Sequence, residues 1–188
     1  RGTDSIKKIE LNKRLMIHSL LSISSNYQHV QPYLEDNKVL MFNGEIYNWR
    51  ELYKFIRKDC EYNETSCVFN FIYEYGIDTF VSKADGMFSI IYDDIKNDEV
   101  CFARDKYGQK PLYFSLKEDG LIISSLKSVF LSLGFNHYNL NKAKIKLASI
   151  TDTVQDTFIY DVTAVKRNFI YKFQNKRLLK NKKGSVVK

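Results

Sequence analysis

Only two prolines, Pro32 and Pro111, and eight glycines punctuate the 188 residues. That excludes a collagen-like repeat and a Pro/Gly-rich disordered linker. Cysteine is scarce too. Cys60, Cys67 and Cys101 form no Cys-x-x-Cys pair and no Cys/His ligand spacing, which excludes a zinc-finger pattern and a disulfide framework. An odd count without a secretory signal leads us to expect reduced thiols in a cytoplasmic protein. The three histidines, His18, His29 and His137, are scattered and sit in no metal motif. No apolar run approaches the roughly 20 residues that a helix needs to cross a bilayer. The chain opens on Arg1-Gly2-Thr3-Asp4, without methionine and without a signal-peptide pattern.

What remains is globular. Hydrophobic residues make up 44% and aromatics 14%, enough for a sizeable core in one domain or one domain plus an extension. The formal charge is +7, but it is unevenly placed. Residues 142–188 hold 12 basic against 3 acidic side chains, leaving 17 against 19 in residues 1–141. Lys180, Lys182 and Lys183 therefore read as a solvated tail or linker. A nucleic-acid surface would need base-reading groups spread over a basic face, and the balance is against it.

Periodicity places strands over Lys13–Ile23 and Lys38–Phe42. Asn48 can cap a helix over Trp49–Lys58. Asn63 or Thr65 can cap a second, in which Val68, Phe71, Ile72 and Tyr75 form the buried stripe and Gly76 is the stop. A short helix follows over Ile77–Ser82. Strands are expected at Gly86–Tyr92, Glu99–Ala103, Leu112–Leu116 and Leu121–Ser124, then a helix over Ser125–Leu133. Beyond Gly134 the pattern weakens to a helix near Leu140–Ile150 and short strands near Phe158–Ala164 and Asn168–Phe173. Strands, helices, strands, helix is the order of an α+β protein with helices packed on antiparallel sheets.

One stretch carries chemistry. Asn43-Gly44-Glu45-Ile46-Tyr47-Asn48 follows the apolar run Val39–Phe42. A side-chain amide and the next backbone N–H, at a strand end, can both point at one developing oxyanion. Asn-Gly after a strand is equally the strongest short hairpin signal, and the dipeptide alone favours that plain turn.

The company of this stretch resembles the N-terminal glutaminase domain of asparagine synthetases, a class II glutamine amidotransferase. Arg1–Asp4 is similar to the family's Arg-Gly-Pro-Asp, His18–Ile23 to its His-x-Arg-Leu-Ser-Ile strand and Gln31-Pro32 to its Gln-Pro. Asn43–Asn48 matches at every position. Asp85–Phe88 and Arg104–Tyr113 match closely, and Ser124–Lys127 echoes a Ser-Glu-x-Lys. The resemblance implies an N-terminal-nucleophile hydrolase-like, four-layer αββα sandwich of mainly antiparallel sheets. It also implies an amidotransferase domain over 1–135, lacking its first strand. Residues 136–188 would end the domain and lead, as a basic linker, towards a synthetase domain. The implied activity is hydrolysis of glutamine to glutamate and ammonia for that ATP-dependent synthetase domain. No cofactor is implied here, ATP and Mg being confined to the synthetase part, and no membrane is involved. The implied nucleophile is an N-terminal cysteine whose α-amine, with a reference pKa of about 7.7–8, accepts the proton.

On this resemblance Asn43 and Gly44 form the oxyanion hole and Glu45 sits beside the substrate's α-ammonium. Leu20 stands where the family has the arginine that clamps the α-carboxylate. Arg14, six residues away and roughly 20 Å at strand rise, cannot replace it. Thr65 stands where an aspartate pairs with the α-ammonium, with Glu64 one residue away. No cysteine stands at position 1, and Cys60, Cys67 and Cys101 have no free α-amine. The residue pattern thus leaves two alternatives: an amidotransferase domain, or a catalytically degenerate scaffold of the same lineage. Arg104–Tyr113 reads as scaffold rather than chemistry.

Overall fold

The computed structural model describes residues 5–20, 31–118, 120–137 and 157–182. Its largest sheet has six strands in the order β11-β10-β6-β5-β4-β3, every neighbouring pair antiparallel. These strands are β3 Tyr33–Glu35, β4 Lys38–Ile46, β5 Gly86–Asp94, β6 Glu99–Arg104, β10 Phe169–Gln174 and β11 Arg177–Lys182. A separate hairpin joins β1 Ser5–Leu11 to β2 Arg14–Leu20. A three-stranded sheet is ordered β8-β7-β9, from Gly120–Ser124, Tyr113–Lys117 and Thr163–Ala164.

Alternation along each strand sends successive side chains to opposite faces, and three cores record the layering. Leu40, Phe42 and Ile46 of β4 and Phe88 and Ile90 of β5 pack with Val68, Phe71, Ile72 and Phe80 of α2, Glu64–Lys83. On the other face, Phe102 and Tyr171 stack at 5.1 Å and meet Phe114 of β7. Beyond the small sheet, Phe130 of α3, Lys127–Ser132, packs with Ile159 and Val162. Helix, sheet, sheet, helix is the expected sandwich.

The hairpin lies on the same side as the small sheet. Met16 packs with Val39 and Ile95, and Arg14 ties it down by forking to Asp93 at 2.8 Å and Asp98 at 2.6 Å. Burial outweighs the Arg14 charge, so the Asp93 carboxyl is pushed up to about 6.

Several expected elements differ. Asn43-Gly44 is not a turn: β4 runs through it to Ile46 and pairs with β5 throughout. The helix expected to Lys58 is α1, Trp49–Tyr53, only. Asn48 does not cap it; its amide bonds Lys83 O and Asp85 N, pinning the end of α2 beside β5. Asn63 caps α2 through Ser66 N at 2.7 Å. Gly76, at φ 80 and ψ 159, breaks the helical path as expected, so α2 is two helices meeting at a kink and the second is the expected short helix. Lys180 stands in β11 rather than in a tail, its ammonium 4.0 Å above the Phe169 ring. The helix expected near Leu140–Ile150 lies outside the described residues.

Arg104–Tyr113 is a hydrogen-bonded scaffold. Arg104 donates to the carbonyls of Lys110 (2.5 Å), Val165 (3.0 Å) and Gly108. Asp105, fully buried, accepts from Phe88, Tyr107, Gln109 and Lys110 N–H.

Candidate active site

The site is one edge of β4. In an antiparallel ladder the N–H and C=O of a residue face the same neighbour, and the facing alternates along the strand. Phe88 gives its carbonyl to Asp105 N–H, on the β6 side. Gly44, register partner of Phe88, therefore turns its own N–H and C=O away from β5. Tyr47 N–H, bonded to Asp85 O at 2.7 Å, keeps the same alternation. So Phe42, Gly44 and Ile46 all face the edge that β3 occupies only as far as Leu40.

Two of those three donors are taken by side chains. Phe42 N–H donates to Gln31 Oε1 at 2.6 Å, and Ile46 N–H donates to Glu64 Oε1. Gly44 N–H lies between them, beyond the last β3 pair among the described residues. Side-chain alternation sets Asn43 and Glu45 together on the face opposite α2, and both are exposed. Asn43, Gly44 and Glu45 thus present an amide, a backbone donor and a carboxylate within one strand end.

Glycine is required here by contact as well as conformation. Gly44 has φ +145, and a Cβ on it would lie 1.9 Å from Met87 O. Gly86 mirrors it from β5, where a Cβ would lie 2.2 Å from Glu45 O. The two strands approach backbone to backbone at the point where donors are presented.

Thr65, expected on the resemblance to face the substrate, is buried in the first turn of α2. Glu64 instead reaches β4. Burial pushes its carboxyl up, the Ile46 N–H opposes that, and the Glu45 charge adds to the rise. Leu20 ends β2, paired with Ser5 across the hairpin. Arg14 is committed to Asp93 and Asp98. His18 is half-buried. Burial lowers its pKa against the Phe42 carbonyl, which favours the charged ring.

All three cysteines are free thiols. Burial pushes Cys67 and Cys101 up to about 12, so neither offers a thiolate near neutral pH. Among the described residues no group of three or more His, Cys, Asp or Glu could hold a metal ion. No helix among them is long and apolar enough to cross a membrane. Gln31 is a contributor to which the sequence pattern gives no structural role. Glu64 was visible as the carboxylate next to Thr65, whereas nothing local marks Gln31 as an acceptor for a strand 11 residues on.

A family model described as a glutamine amidotransferase domain matches residues 1–183. Asparagine synthetase [glutamine-hydrolyzing] 2 of Bacillus subtilis is 36% identical over 114 residues, covering 58% of this chain and 15% of that protein. Asparagine synthetase [glutamine-hydrolyzing] 1 of Arabidopsis thaliana is 30% identical over 142 residues, covering 73% and 24%. The chain therefore spans less than a quarter or so of these relatives' length. Among solved structures, the glutamine phosphoribosylpyrophosphate amidotransferase of B. subtilis superposes with TM-score 0.62 at 14% identity, over 92% of this chain and 35% of that one. An allosteric regulatory enzyme of purine biosynthesis gives 0.61, also at 14%, over 87% and 33%. The fold is that of the N-terminal-nucleophile amidotransferases, and the chain belongs to the glutamine amidotransferase domain family, homologous to the asparagine synthetases over the region they share.

Proposed function

We propose that this domain binds glutamine at the β4 edge and serves its hydrolysis to glutamate and ammonia, the ammonia passing to an ATP-dependent synthetase domain. The observation that carries the reading is the orientation of Gly44 N–H, facing outward between two donors that side chains have already taken. The glutamine side-chain carbonyl would rest between that N–H and the Asn43 amide. As a thiolate adds to the carbonyl carbon, negative charge gathers on its oxygen, and both donors stabilise it. Losing one such donor typically costs about 2.7–4 kcal/mol of transition-state stabilisation. Ammonia then leaves, and water releases glutamate from the thioester. The resemblance implies an N-terminal cysteine as the attacking thiol, a role that the buried, internal Cys67 and Cys101 do not fit.

Glu45 and Glu64 would hold the α-ammonium. Glu64 is the better placed replacement for the aspartate that Thr65 displaces, because Ile46 N–H uses one carboxylate oxygen and leaves the other. With Leu20 in place of the arginine clamp, the α-carboxylate would lack its bidentate partner, so glutamine affinity would be weak. No cofactor is assigned to this domain, ATP and Mg belonging with the synthetase part, and a cytoplasmic setting accords with the reduced thiols. The degenerate scaffold is less favoured, since the donor-bearing segment keeps its geometry.

Amide NMR of the chain titrated with L-glutamine tests binding. Shifts at Asn43, Gly44 and Glu45, lost in Asn43→Ala, are the expected result. A glutaminase assay on the protein with its native N-terminus tests turnover. Absence of both shifts and turnover would reject the reading.

A further inference from the structure

The sequence singled out His18 and Gln31-Pro32, yet the chemistry above gives them no task. Their placement does. β3 and β4 pair Glu35 with Lys38, Leu34 with Val39 and Tyr33 with Leu40. Carried on in that register, the ladder would set residue 31 opposite Phe42 and residue 29 opposite Gly44. A strand there would take the Gly44 N–H for itself.

The ladder is replaced one step before that happens. Gln31, only 6% exposed, puts its side-chain Oε1 where a backbone carbonyl would have met Phe42 N–H, at 2.6 Å. Pro32, which has no N–H to give a ladder, offers its carbonyl to Lys7 Nζ of the hairpin at 3.4 Å. His18, register partner of Lys7, faces the Phe42 carbonyl. Its Nδ1 is buried and meets no hydrogen-bond partner among the described residues. Among the described residues, both polar groups of the Phe42 backbone are thus answered by side chains rather than by a third strand.

We infer that Gln31 is a positioning residue of this site: its side chain ends the β3–β4 ladder at Leu40 and so reserves Gly44 N–H for a ligand oxygen. The inference rests on the proposed reading for what the ligand is, but its first test needs no ligand. Hydrogen exchange followed by NMR on the wild-type chain should show Phe42 N–H exchanging at least tenfold more slowly than Gly44 N–H. Gln31→Val removes the acceptor and favours an extended backbone. In that variant Gly44 should gain tenfold or more in protection, or its amide shift should move, and L-glutamine affinity should fall at least tenfold. Gln31→Glu keeps an acceptor at the same reach and should return both readouts to within about threefold of wild type, which a mere packing role would not do.

Equal protection of Phe42 and Gly44 in the wild type would overturn the inference. So would Gln31→Val leaving Gly44 exchange, shift and affinity unchanged, or Gln31→Glu failing to restore them. If Gly44 exchange responds as expected while L-glutamine perturbs nothing at Asn43–Glu45, the ladder role of Gln31 stands and the amidotransferase reading of the site fails. If glutamine binds but Gly44 ignores position 31, the opposite holds.

Discussion

Replacing Gly44 with alanine would place a Cβ 1.9 Å from Met87 O and 2.7 Å from Phe88 Cα. Neither atom belongs to a flexible side chain, so the strands themselves must separate by more than 1 Å to reach ordinary contact. The backbone at φ +145 adds conformational strain of roughly 1–3 kcal/mol for a residue with a Cβ, and overpacking of this kind costs about 1–3 kcal/mol more. The sum, roughly 2–6 kcal/mol, is a large share of the ~5–15 kcal/mol by which domains are stable. At about 2–4 °C per kcal/mol for a chain of this size, Tm should fall by no less than about 4 °C. Circular dichroism melts of wild type and Gly44→Ala give the comparison, with Gly120→Ala as a control, because a Cβ there meets nothing within 4 Å. A Gly44→Ala melt within 2 °C of wild type, and no lower than that of Gly120→Ala, would refute the close-approach argument. It would also remove the reason for glycine at the site.

Other consequences are open to direct measurement. Arg104→Lys keeps the charge but cannot fork to Lys110 O, Gly108 O and Val165 O; losing two of the three bonds at roughly 1.5–3 kcal/mol each should lower the urea midpoint without changing the m-value. Arg14→Met strands the buried Asp93, and breaking such a pair costs about 3–5 kcal/mol, read as faster exchange in β1–β2 and a lower Tm. Asp93, raised to about 6 by burial, contributes stability that is full below its unfolded value and lost as pH rises through about 6, so Asp93→Asn should flatten the pH dependence of Tm between pH 4 and 7. Glu64 is raised as well. An α-ammonium beside it favours the carboxylate, so glutamine affinity should rise with pH across its titration and become pH-insensitive there in Glu64→Gln, as isothermal titration would show.

The layers were legible in the sequence because α2 and β4–β6 are strongly patterned. Val68, Phe71 and Ile72 recur at helical spacing and are buried as that spacing predicts. The site was legible as composition but not as geometry. Asn43-Gly44 carries the signature of a tight turn, and only long-range pairing with β5 holds it extended through Ile46. Asn48 has the chemistry of a cap, yet tertiary bonds to Lys83 and Asp85 claim its amide. Thr65 and Glu64 differ by one step of helix, a rotation of about 100°; which of them reaches β4 depends on how α2 docks. β11 was missed because Arg177–Lys182 is mostly polar, an edge strand whose lysines and arginine suit solvent. Its position is fixed by the turn at Asn175-Lys176, both at positive φ, a conformation common in tight hairpins.

The arrangement of the six-stranded sheet bears on how the chain can assemble. β5 and β6 are neighbours in sequence and can zip as a hairpin early, but β6 meets β10 only when Ile170 comes opposite Ala103 and Tyr171 opposite Phe102. Closing a loop of that size is slow compared with forming hairpins. Until it closes, the β6 edge and the side of the Phe102 ring that stacks on Tyr171 stay uncovered while the ribosome is still adding residues. A product ending near residue 135 would keep that sticky edge permanently, so β10 and β11 act as its built-in cover.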